Sequence, residues 1–150
     1  NPNLPYRQAM IGQLTASTLL VTATVTFHGF GLALLSRILR GEAREERDHH
    51  VPALSVRTLS FTLLIVGSLF MLHGVEIWIY ALFFDLVGAV QGLETSVYFS
   101  TISYAAIGYS DHYIDPEWRL VAAIEGINGL LLLGWSTAFF VTIVARLGRD

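Results

Sequence analysis

Residues 94–111 read ETSVYFSTISYAAIGYSD and lie between two long apolar runs. The stretch is too polar and too broken to cross a bilayer itself. Glu94, Thr95 and Ser96 can serve the amino end of a short helix, which Val97, Tyr98, Phe99 and Ile102 continue. The stretch ends in Ala105-Ala106-Ile107-Gly108-Tyr109-Ser110-Asp111. Non-helical backbone at membrane depth survives only where protein buries it or water lines it. The rest of the chain reads as the holder for this segment.

The composition sets the holder's class. Of 150 residues, 53% are apolar and only 14% charged, too apolar for an ordinary soluble domain. The charges cluster, leaving three apolar runs of roughly 20 residues or more, the length that crosses a bilayer. An integral membrane protein follows, at most one domain in size. All nine cations are Arg, and with no Cys there is no disulfide or thiolate metal site. Asn1 in place of a starting Met leaves room for residues upstream. The stretch 8–35 has the outline of a signal peptide, but its apolar part is too long and no cleavage site follows, so it reads as a retained helix.

Asn1 to Arg7 holds two prolines and reads as an irregular lead-in. The first span, about Ile11 to Ser36, is uncharged and rich in Thr and Gly, with His28 its one ionisable group, read as a hydrogen-bonded packing residue. Residues 37–57 carry Arg37, Arg40, Arg44, Arg47 and Arg57 among four acids, which places this loop on the cytoplasmic side. Glu42 and Glu46 against those arginines can extend the first helix beyond the membrane. Asp48-His49-His50 reads as a solvated linker rather than a metal site, and Pro52 breaks the chain. The second span, about Leu54 to Leu86, carries His73 and Glu76 one turn apart. Gly88 to Gly92 make a turn, and the third span runs from Trp118 to Arg146. Arg146 and Arg149 agree with a cytoplasmic carboxyl end, so three spans put the amino end outside. The organisation is residues 1–53 as an extra helix with its charged linker, and 54–150 as the domain holding the loop.

Ala106-Ile107-Gly108-Tyr109-Ser110-Asp111 resembles the selectivity filter of the potassium-channel family, T-x-G-Y-G-D after a short pore helix. Ile107, Gly108, Tyr109 and Asp111 match, while Ala106 stands for the usual Thr and Ser110 for the second Gly. Trp118-Arg119-Leu120-Val121-Ala122 resembles the start of the family's inner helix, and Gly129 falls where many members have a hinge glycine. The resemblance covers about Leu54 to Leu147 and leaves the first span outside it. It implies an all-α membrane protein with three transmembrane helices plus a re-entrant pore helix and extended filter, assembling as a homotetramer. It implies a channel, not an enzyme, in a plasma (inner) membrane. The carbonyls of Ala106, Ile107, Gly108, Tyr109 and Ser110 would replace the water shell of K+. Gly108 is expected to take the unusual dihedrals, and Ser110 either a left-handed backbone or a flattened outer filter. Ala106 lacks the hydroxyl of the innermost site, Ile102 replaces a bracing Glu of several members, and Tyr104 stands where a small residue is common. A non-selective cation channel is therefore the alternative.

Glu76 and Glu125 both fall roughly 10–15 Å below the outer surface at the helical rise per residue. They are expected to hydrogen-bond Ser103, Tyr104 or filter amides from behind; pairing with His73 or Asn128 is the competing reading. Asp111, His112 and Asp115 would form an acidic mouth that concentrates cations, and His112 is expected to make it pH-sensitive.

Two other readings compete. His28 and His73 could ligate one haem iron, or the pore fold could serve as a non-conducting scaffold or sensor, with the Thr-rich first span as a docking surface. A nucleophile–base pair, a phosphate loop and metal-ligand spacing are all missing from the sequence, so no catalysis, cofactor or nucleic-acid partner is expected. The partners are the lipid bilayer, monovalent cations and further copies of the chain.

Overall fold

Three helices long and apolar enough to cross a membrane form the frame, and a shorter one is tucked among them. The computed structural model describes residues 4–46, 56–108, 110 and 112–147. In chain order these are α1 (Leu4–Glu46), α2 (Val56–Leu86), α3 (Leu93–Tyr104), a 3₁₀ turn (Pro116–Trp118) and α4 (Arg119–Leu147). Among the described residues there is no strand, so the protein is an all-α membrane protein. Asp48-His49-His50 and Pro52 lie outside the described residues.

The lead-in is shorter than the two prolines suggest. α1 begins at Leu4 and takes Pro5 into its first turn, where the N–H that proline lacks has no intrahelical partner to lose. At its other end α1 runs on to Glu46, the extension that the mixed Glu/Arg stretch favours. Along the exposed side of α1, Thr15, Thr18 and Thr22 donate to the carbonyls of Ile11, Leu14 and Thr18 at 2.8, 2.8 and 2.7 Å. Back-bonding lets a hydroxyl face lipid without an unsatisfied donor.

Contacts at several levels set the directions. Gln13 Oε1 accepts from Leu120 N at 3.2 Å near the start of α4, and Thr24 meets Asn128 further along. α1 therefore runs parallel to α4. It runs antiparallel to α2, since His28 meets Glu76 while Leu35 and Leu39 cluster with Phe61 and Ile65. The first span is thus docked on its own chain.

α3 enters beside the end of α2. Gly88, at φ 70°, closes α2: Gly88 N donates to Asp85 O at 3.1 Å and Ala89 N to Phe84 O at 2.9 Å. This is a Schellman motif with glycine in the left-handed position. Gly92, at φ 88°, starts α3 with no side-chain cap, and Ser96 N donates to Gly92 O at 2.9 Å. Gly92 offers no side chain for a cap, and the bond from Ser96 N is the first of the helix itself.

Ser96, Phe99, Ser100, Ser103 and Tyr104 of α3 are buried, one continuous helical face, while Leu93, Tyr98 and Thr101 look outward. Phe84 and Phe99 pack edge to face at 5.6 Å, within a core that includes Tyr80, Val90, Ile114 and Val121. After the loop the chain returns to where it entered, with Asp115 N donating to Ala89 O at 2.9 Å. Asp115 Oδ1 accepts from Glu117 N at 2.9 Å and Pro116 follows it, so Asp-Pro starts the last helix. At the opposite end of the molecule an aliphatic cluster of Leu32, Leu35, Leu39, Ile65 and Leu69 holds α1 to α2.

Candidate functional site

α3 descends along α2 and α4 and stops part-way. Its last residue, Tyr104, lies against Gly129, roughly 15 Å along α4 at the helical rise per residue. The segment that follows is a re-entrant loop, entering and leaving by one end.

Its first turn is another Schellman motif. Ala106 N donates to Ser103 O at 3.0 Å and Ile107 N to Ile102 O at 3.0 Å, with Ala105 as the cap. The left-handed residue is Ala106, at φ 53°, in the place that Gly88 fills at the end of α2. Gly108 does not have a positive φ, so the unusual dihedral falls two residues earlier than the sequence suggests. The reason is local: stopping an α-helix by this motif requires the left-handed turn at the second residue past Tyr104. Ala106, Ile107 and Gly108 then run exposed, with Ile107 75% accessible. Ser110 is half-buried and accepts at its carbonyl from Tyr113 N at 3.3 Å. Tyr109 and Asp111 lie outside the described residues. His112 and Asp115 are exposed at the mouth of the loop.

Two glycines let α3 end where it does. A Cβ on Gly126 would lie 3.2 Å from Ser103 O, and one on Gly129 only 2.1 Å from Tyr104 O. The Gly126-Ile127-Asn128-Gly129 turn of α4 is thus a flat seat for the last carbonyls of the short helix.

Behind the loop lies a polar network drawn from four helices. The Tyr104 hydroxyl donates to Glu76 Oε2 and lies 2.9 Å from His73 Nδ1. His73 Nδ1 is 3.2 Å from Glu76 Oε2, and His28 Nδ1 is 2.8 Å from Glu76 Oε1. Ser136 Oγ closes the ring, 3.0 Å from His73 Nε2 and 3.3 Å from His28 Nε2. Glu76 and His28 are fully buried. The expected pairing of Glu76 with Tyr104 and its pairing with His73 are both present. The two imidazoles turn their Nδ1 atoms to one carboxylate with ring centroids 5.2 Å apart, which leaves no space between them for a porphyrin.

Glu125 makes a separate contact. Its Oε1 meets the hydroxyl of Ser100, which also lies 3.1 Å from Ile77 O. It reaches neither Ser103, whose buried Oγ has no partner, nor Asn128. Asn128 Nδ2 donates instead to Thr24 Oγ1 at 2.8 Å and Tyr80 Oη at 3.1 Å. Ser100 and Ser136 escaped the sequence reading. The available signal was the spacing of Glu125, Asn128, Gly129, Leu132 and Ser136, all buried on one face of α4.

A membrane frame, a half-length helix and an exposed turn of backbone at its tip define a protein of the re-entrant pore class. A family model described as ion channel, a two-helix potassium-channel-like pore domain, matches residues 59–146. The chain belongs to this ion-channel family, and the whole of α1 precedes the match. Neither a curated protein nor a solved structure matches the chain.

Proposed function

We propose that four copies of this chain surround a common axis and conduct K+ through the backbone carbonyls of Ala106, Ile107, Gly108, Tyr109 and Ser110. The observation that carries this reading is the exposed backbone from Ala106 to Gly108 at the tip of a half-length helix. One chain supplies one wall of such a passage, and exposed backbone carbonyls at membrane depth need either water or further copies around an ion. Glu76, Glu125, Ser103 and Tyr104 support the filter, and Asp111 with His112 and Asp115 forms its outer mouth. Gly129 doubles as a hinge for α4. The Arg-rich 37–57 linker and the Arg146/Arg149 end face the cytoplasm across a plasma (inner) membrane, with the amino terminus outside.

A second reading, a channel open to several monovalent cations, is favoured by one residue: Ala106 supplies no hydroxyl at the innermost position. Flux from liposomes of the purified protein under potassium, rubidium, sodium and caesium gradients tests both. Potassium and rubidium flux with little sodium supports the first reading, and comparable flux of all four supports the second. No flux overturns both and leaves a non-conducting scaffold.

A further inference from the structure

The polar network behind α3 gathers two imidazoles, a carboxylate and a phenol around one point. We propose that His28, His73 and Glu76, with Tyr104 as a fourth donor, form a binding site for a divalent transition ion of the zinc class. One ligand atom from each of the three lies within 4.8 Å of the others. The donor atoms are His28 Nδ1, His73 Nδ1 and the Glu76 carboxylate, with the Tyr104 hydroxyl 2.9 Å from His73 Nδ1. Two imidazoles and a carboxylate are borderline ligands, the set that zinc takes at about 2.0–2.2 Å. Ligands at that radius in a tetrahedron stand about 3.3–3.5 Å apart. The observed spacings, 2.8 Å to Oε1 and 3.2 Å to Oε2, would open by a few tenths of an ångström, with the carboxylate turned to the ion and the Tyr104 hydroxyl released from Oε2.

The outer contacts fit the same assignment. Ser136 Oγ stands 3.3 and 3.0 Å from the two Nε2 atoms. It has two lone pairs and one hydrogen, so it accepts from both N–H groups but donates to only one bare nitrogen. Two arrangements satisfy these contacts: without an ion, His28 Nδ1–H donates to Glu76 and Ser136 donates to His28 Nε2; with one, hydrogen sits on each Nε2 and a lone pair of each Nδ1 turns inward. The second is how a metal-ligating histidine is held, its far N–H fixed by an outer partner. A divalent cation at the convergence point removes the repulsion between those lone pairs and the carboxylate. Glu76 and the Tyr104 oxygen offset its charge in a buried site. His73, with a side chain 12% exposed against 0% for His28 and Glu76, is the side from which an ion arrives. Because Tyr104 ends α3 directly before the loop, a bound ion would clamp α1 and α2 to the pore helix. The proposal does not depend on conduction.

The test uses the full chain, stripped with chelator in detergent and titrated with ZnCl2. Expected are one zinc per chain by elemental analysis and a rise in thermal unfolding temperature. Co2+ should give the visible absorption of a tetrahedral nitrogen/oxygen site. His28→Ala and His73→Ala should lose both the zinc and the Co2+ spectrum. Ser136→Ala, which keeps every ligand, should bind about 10- to 100-fold more weakly while its circular dichroism is unchanged. A His49→Ala/His50→Ala/His112→Ala variant should keep the site. The proposal is overturned by no zinc in the wild type, by zinc that survives His73→Ala, by unaltered affinity in Ser136→Ala, or by loss in the triple variant.

Discussion

His28 Nδ1 and Glu76 Oε1 meet at 2.8 Å with both side chains fully buried, tying the first helix to the second at the level of the loop. Glu76 also holds His73 and Tyr104, so it is the centre of the network and His28 one spoke. Glu76→Ala strands both imidazoles and the phenol at once. A loss of about 3–5 kcal/mol is expected, the range for removing one partner of a buried ionic group. Thr24→Val removes one hydrogen bond to Asn128 and should cost only about 0.6 kcal/mol, the average for such bonds between membrane helices. Thermal unfolding of both variants in detergent measures the gap. Equal effects would mean that Glu76 is not the centre.

Gly129→Ala places a methyl 2.1 Å from the Tyr104 carbonyl oxygen, a backbone atom that cannot swing aside. A cost of about 1–3 kcal/mol or more is expected, with α3 displaced. Gly31→Ala meets Leu72 Cδ1 at 2.4 Å, but that atom is the end of a flexible side chain and should yield more cheaply. Unfolding temperature ranks the two. A Gly129→Ala protein of native stability but altered channel opening would instead favour the hinge role.

Ala106 occupies a left-handed position that suits glycine. Ala106→Gly should therefore stabilise the protein by about 1 kcal/mol. Ala106→Thr restores the hydroxyl of the family pattern but puts a β-branched residue where φ is positive, so it should destabilise unless the turn rearranges. Unfolding temperatures together with potassium-over-sodium flux check the pair. A stable Ala106→Thr protein with raised selectivity would show that the turn can move to the family's usual geometry.

Ser100→Ala removes the one partner of Glu125 among the described residues, since Glu125 Oε2 is buried without any. The expected loss is about 1–3 kcal/mol, the cost of an unsatisfied buried polar group. Glu125→Leu in the same background should recover part of it by removing the group left behind. If the double variant is no more stable than Ser100→Ala, the carboxyl has a partner elsewhere.

Much of the architecture was legible because bilayer length and backbone satisfaction are one-dimensional constraints. Three apolar runs, a polar half-length helix between the second and third, and the depth of Glu76 and Glu125 all follow from counting along the chain. Element edges shifted where end chemistry decides them: Pro5 fits within α1, and Gly92 stands at the N-cap of α3 without a side-chain cap. The unusual dihedrals were expected at Gly108, by residue type, and at Ser110 either a left-handed backbone or a flattened filter, because the family has glycine there. The left-handed residue falls at Ala106 because the helix stops at Tyr104, whose carbonyl lies close against Gly129.

By itself the sequence determined the membrane class, the order of the spans and the filter-like segment, since each depends on local composition and spacing. Only the tertiary structure decided what each polar side chain meets. Glu125 takes Ser100 and not Ser103, Asn128 takes Thr24 and Tyr80, and His28 joins Glu76. These partners come from different helices, and their pairing depends on helix direction, rotation and relative height. Periodicity along one strand of text records none of those three quantities.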